Sequence, residues 1–135
     1  SRVARDPTQP NLRQVHLIGA ELLEELRTKG FDLAAGALGE NILTRGLDLI
    51  ALPVGTRLHI GREAVIAVTG LRNPCAQIEQ YRTGLLTHVL VHRPGEGVLR
   101  RAGIMAVVLT GGDVSPGDTI AATLPEGPHR PLEVV

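Results

Sequence analysis

A chain of 135 residues with 43% apolar and 21% charged residues is long enough to bury one core and too short for a cofactor domain beside a separate substrate domain. Its fourteen basic residues balance fourteen acidic ones and are interspersed, which argues against a nucleic-acid or anionic-membrane surface. Phe31 and Tyr81 are too few to stack successive bases, and the single cysteine, Cys75, cannot close an internal disulfide.

The chain opens at Ser1 without a methionine, so further residues are expected to precede it. Asp6-Pro7-Thr8-Gln9-Pro10 reads as a proline-bounded loop, and Val15 to Ile18 as a strand. A helix follows. Leu22, Leu23 and Leu26 form its apolar stripe, Glu21 and Glu24 sit early, Arg27 and Lys29 late, and Gly30 stops it. Gly36 to Asp48 lacks either regular period and reads as a shaped loop.

Thr56 to Ile60 alternates as a half-buried strand, and Ala64 to Thr69 pairs back on it across a Gly61-Arg62 turn. Ala76 to Val91 reads as two short helical pieces broken at Gly84. Val98 to Arg101 reads as a short strand, Gly103 to Thr110 as a fully buried one, and Thr119 to Leu124 as the last, before an irregular proline-rich tail. Many short strands with glycine corners and few helices predict a mainly β fold, a small closed or nearly closed β-barrel, over a βαβ sheet. The longest aliphatic run, Ile104 to Leu109, is far below membrane-spanning length, and one unpaired cysteine suits a reducing compartment, so a cytoplasmic protein is expected.

Cys75 is the strongest nucleophile and the softest metal ligand in the chain, held after Pro74 at a strand mouth with Arg72 close enough to favour its thiolate. Free cysteines are usually small buried hydrophobes, and on the residues alone that reading leads. Gly39-Glu40-Asn41 offers a carboxylate and an amide on a permissive backbone, which suits either a polar ligand or an ordinary turn. His88 and His92 would share a helical face, but two ligands do not hold zinc and no glutamate completes a His-Glu-x-x-His pattern. Arg72 with Arg100 and Arg101 could clamp a phosphate or simply be solvated. Lys29, the only lysine, sits as a helix-end charge and i,i+4 partner of Glu25, which disfavours aldimine chemistry. No Walker loop, dinucleotide fingerprint, nucleophile elbow or Cys-x-x-Cys pair occurs.

Three segments in order, Gly39-Glu40-Asn41-Ile42-Leu43-Thr44, Leu52 to Gly61, and Val68-Thr69-Gly70-Leu71-Arg72-Asn73-Pro74-Cys75, together with the ending Gly103 to Gly112 and Pro116 to Ile120, resemble the MOSC domain. This module is named for the C-terminal part of molybdenum cofactor sulfurases. The resemblance covers about Val15 to Ile120. It implies a strand-rich barrel that binds the molybdenum cofactor (molybdopterin), a pterin whose dithiolene holds molybdenum and whose tail carries a phosphate. On this resemblance Cys75 is the catalytic residue and metal ligand, and Glu40, Asn41, Thr69, Arg72, Asn73 and Arg101 are the candidate cofactor contacts.

The implied function is reduction of N-hydroxylated or N-oxygenated compounds. The alternatives are a sulfur or cofactor carrier using a Cys75 persulfide, and a non-catalytic interaction barrel. Stand-alone members begin with a His/Gly-containing strand, expected here to be lost ahead of Ser1. The chain carries no sulfurase, flavin or iron–sulfur module, so an external electron-transfer or sulfur-transfer protein and a small-molecule substrate are the expected partners, with neither nucleic acid nor membrane among them.

Overall fold

The computed structural model describes residues 11–135; the expected loop Asp6–Pro10 and any strand before it lie outside the described residues. In chain order the elements are β1 (Val15–Gly19), α1 (Ala20–Thr28), β2 (Ile42–Thr44), a 3-10 turn (Leu49–Ala51), β3 (Arg57–Ile60), β4 (Ala64–Leu71), α2 (Ala76–Tyr81), α3 (Leu86–Val89), β5 (Leu90–Arg93), β6 (Gly97–Arg100), β7 (Ile104–Thr110) and β8 (Ile120–Thr123). Six strands in the order β2-β1-β7-β4-β3-β8 form one sheet, curled into a half-barrel, and β5 and β6 make a separate hairpin. The mainly β, barrel-like architecture is as the glycine-punctuated strands predict. The sheet ends in two edges, β2 and β8.

Period-two alternation decides which side chains fill the barrel. In β4, Ala64, Ile66, Val68 and Gly70 are buried while their neighbours are only partly so. Leu17, Leu58, Ile60, Ile66, Val68 and Ile104 form the inner core. Each such aliphatic side chain stabilises by about 1.5–3 kcal/mol when fully buried. A second core lies on the other face of β1, where Ile18 meets Leu23 and Leu26 of α1, Ile78 of α2 and Val89 of α3. Adjacent residues Leu17 and Ile18, both fully buried, therefore anchor opposite layers. Among the described residues no helix is long and apolar enough to cross a membrane.

Three expectations need correction. The Gly36–Asp48 loop contains β2, which pairs parallel with β1 from Leu17↔Ile42 to Gly19↔Thr44. A three-residue strand is too short to show a period, and its pairing partner lies 25 residues upstream. The second helical piece ends at Val89, and Leu90 already pairs with Arg100, so His88 and His92 share no helical face. The strand after Gly103 is buried only from Ile104 to Ala106. β1 pairing stops at Val15↔Ala106, which leaves Val108 and Leu109 about half exposed.

Candidate functional site

Where β1 passes the 36–41 loop, Asn41 clasps the strand from the side. Its backbone N–H donates to the His16 carbonyl at 2.8 Å, and its Oδ1 accepts from the His16 N–H, also at 2.8 Å. Asn41 thus imitates a neighbouring strand, its backbone N–H and side-chain oxygen together satisfying both backbone groups of His16. The loop itself is tied down by Glu40, which is buried, with its carboxylate accepting from Gly36 N at 2.6 Å and Leu38 N at 3.2 Å. Gly39 between them has φ +84°, a left-handed conformation that favours glycine.

The His16 side chain faces the helical layer. It is buried, and its Nε2 lies 2.7 Å from the Ala102 carbonyl, so that nitrogen carries a proton. Burial holds its pKa below the ordinary 6.5; the Ala102 carbonyl opposes that shift and the Arg72 charge reinforces it. Glycine at 103 permits the packing, because a Cβ there would strike the Leu17 carbonyl and come within 3.1 Å of His16 Nε2.

Arg72 follows the end of β4. Its backbone N–H donates to Gly103 O at 3.1 Å, and Nη1 donates to Leu38 O at 2.7 Å. Burial draws the guanidinium below its usual value; Cys75 and Glu40 oppose electrostatically while Arg13 adds to the shift. Arg13, Gln14, His16, Asn41 and Arg72, with Met105, line a cleft of about 410 Å³. Two arginines and no lining carboxylate give the cleft a positively charged lining.

Cys75 stands three residues beyond Arg72, exposed, at the start of α2. Its Sγ is 3.9 Å from Gln77 Oε1, and it is close enough to Arg72 to act on that charge. The thiol is therefore not a buried core cysteine. Asn73, beside it, accepts from Arg100 Nε at 3.1 Å.

The structure brings Asn41 and Arg72 to one cleft, with Cys75 adjacent and Glu40 beneath as the brace of the loop. It does not bring Thr69 or Arg101 there. Thr69 Oγ1 donates to Leu12 O at 2.6 Å, and the residue lines a groove with Arg130 and Glu133. Arg101 pairs with Glu25 at 2.7 Å and lines a second cleft beside α1. His16 and Arg13 are the site residues that sequence reasoning missed. A histidine inside an apolar strand was the available signal for His16, since a polar ring on a buried face must find a partner.

No curated protein matches the chain. Among solved structures it is similar to YiiM from Geobacillus stearothermophilus, with TM-score 0.67 and 22% identity over 82% of this chain and 54% of that one. YiiM from Escherichia coli gives TM-score 0.63 and 19% identity over 87% of this chain and 58% of that one. The YUAD protein from Bacillus subtilis gives 0.65 and 27% over 87% and 70%. The chain thus spans little more than half the length of the YiiM proteins. The family model for the MOSC domain matches residues 5–121, and on that match the chain belongs to the MOSC domain family, which is associated with binding of the molybdenum cofactor.

Proposed function

We propose that the chain binds the molybdenum cofactor in the Arg13–His16–Asn41–Arg72 cleft, with Cys75 as the protein ligand to the metal, and serves a reductase of N-hydroxylated compounds. The observation that carries this reading is the placement of an exposed thiol beside a carboxylate-free, arginine-lined cleft. The donor set fits the group. Among the described residues no cluster of three or more His, Cys, Asp and Glu could hold a bare metal ion. The cofactor supplies its own dithiolene ligands and asks the protein only for one soft donor and a cationic seat.

When bound, the cofactor supplies two-electron oxygen-atom chemistry at molybdenum. The remaining work belongs to the chain. Arg72 and Arg13 would hold the anionic part and Cys75 would offer sulfur from the exposed side, while Asn41 fixes β1 so that His16 keeps its place. The overall reaction converts R–NHOH, two electrons and two protons into R–NH2 and water, with the electrons delivered by a separate electron-transfer protein.

Elemental analysis of molybdenum co-purifying with native protein and with Cys75→Ala tests the reading. Loss of at least about tenfold in the variant is expected for removal of the only protein ligand; equal content in both removes Cys75 as a ligand. The exposure of Cys75 also favours a second reading, in which the same thiol carries sulfur as a persulfide. A mass increase of one sulfur on freshly isolated protein, absent in Cys75→Ala, distinguishes carriage from ligation.

A further inference from the structure

We infer that the tail segment Leu132–Val135 is a positioning element for the Arg72–Cys75 loop. The inference rests on the reading of that loop as the reactive part of the site. Leu71, the last residue of β4, is held on both sides. On one it pairs with Ile104 of β7. On the other the tail docks parallel to it: Leu71 N donates to Glu133 O at 2.8 Å, Val135 N donates to Leu71 O at 3.3 Å, and Leu71 bridges Val134. The next residue is Arg72, so the tail completes the last sheet position before the loop begins.

Two features show that the contact is built in. Leu132 is buried in the inner core and anchors the tail, which is tied upstream by Val54 N donating to Arg130 O at 2.9 Å. Glycine at position 70 makes room for it. Its backbone is not in the left-handed region, and β4 would gain from a side chain there. A Cβ would instead collide with the Glu133 carbonyl and the Val135 side chain. Space for the tail is therefore a reason for glycine near the end of this strand, beside the bulge between Val68 and Gly70.

Without the tail, both backbone groups of Leu71 turned toward it lose their partners, and Arg72 and Cys75 hang from a β4 end paired on one side only. Arg72 then presents its guanidinium to Leu38 O and to the thiol less reproducibly. The thiol hangs from the same loop, so its rate of reaction with an alkylating reagent should change with the loop's order.

The test uses Val135→Pro, which deletes one N–H donor and keeps Leu132; a chain ending at Pro131; Gly70→Ala; and Gly70→Ala in that shortened chain. Leu23→Ala, in the helical layer, serves as a control for general loss of stability. The readouts are melting temperature and the rate of Cys75 alkylation at one fixed pH, neither of which requires bound cofactor. Val135→Pro is expected to change the alkylation rate by about threefold or more, whereas Leu23→Ala lowers the melting temperature without moving that rate. Gly70→Ala is expected to destabilise the full chain and to be nearly silent in the shortened one, because the atoms it strikes are gone. An unchanged alkylation rate in Val135→Pro, or an equal cost of Gly70→Ala with and without the tail, overturns the inference. Failure of molybdenum binding by native protein would instead count against the functional reading and leave this result standing.

Discussion

Two clefts of the same size, each about 410 Å³, draw on residues in and beside β1 and β7, and they are chemically opposite. The one at His16, Asn41 and Arg72 presents arginines and no carboxylate. The one beside α1 has a floor of Leu22, Leu47, Leu49 and Ile50, and its rim carries Glu21, Glu25 and Asp48 against Arg101 alone. Volume therefore does not identify the site. What differs is whether charge is left over for a ligand: Arg101 is engaged by Glu25, while Arg72 spends one nitrogen on a neutral carbonyl and keeps its charge unpaired by any salt bridge at 4 Å among the described residues.

The comparison can be broken most directly by exchanging the two arginines' fates. Arg72→Leu should weaken binding of an anionic ligand about 10- to 100-fold, the loss of one charge-assisted hydrogen-bonding group. Arg101→Leu should leave that affinity within about threefold, since Glu25 already pairs that charge and Arg101 does not line the cleft. Titration of both variants with molybdate-free pterin phosphate, or with inorganic phosphate as a crude probe, compares them. Equal losses would merge the two clefts into one function.

Asn41→Ala should cost about 1–3 kcal/mol, because the part-buried His16 N–H loses its acceptor, and Asn41→Asp should recover most of it by restoring an oxygen. Urea unfolding of the three proteins measures the difference. A neutral alanine variant would mean that the β1 clasp is not part of the site's rigidity.

The pH dependence follows from His16. The unfolded chain binds the proton near 6.5 and the folded chain only at lower pH, so the stabilisation is complete above 6.5 and is lost as pH falls from there toward the folded value. The slope is at most about 1.4 kcal/mol per pH unit for one proton. His16→Gln, which keeps a donor for Ala102 O, should flatten it. Glu21 and Glu25, both held below 4.5 by hydrogen bonds from Gly46 N and from Arg101 respectively, add to the loss only at more acidic pH. The smallest effect is expected in the other cleft. Glu25→Gln should change stability by less than about 1 kcal/mol, because the Glu25–Arg101 pair is partly exposed and screened. A larger loss there would mark that ion pair as structural.

Much of this was legible in the residues. Alternation in Thr56–Ile60 and Ala64–Thr69, the leucine stripe of α1 and the lone cysteine after Asn-Pro depend on near neighbours, and the structure keeps the strands and helix as read. The Gly39–Asn41 corner was readable as something shaped, though as a ligand surface it divides: Asn41 reaches the cleft, while Glu40 turns inward and is consumed by Gly36 and Leu38. Arg101 shows the limit most clearly. Next to Arg100 in sequence, it belongs to another cleft because the turn from β6 into β7 sends it toward α1, where Glu25 waits 76 residues upstream.

Local pattern thus determined β1, β3, β4 and β6 to β8, the helix α1, the family resemblance and the position of the thiol along the chain, since each rests on interactions within a few residues. Only the tertiary structure decided that His16 and Arg72 meet, that Arg101 does not join them, and that the tail closes on Leu71. Those outcomes depend on which strands become neighbours, and strand order is set by burial across the whole sheet, which no short window of sequence contains.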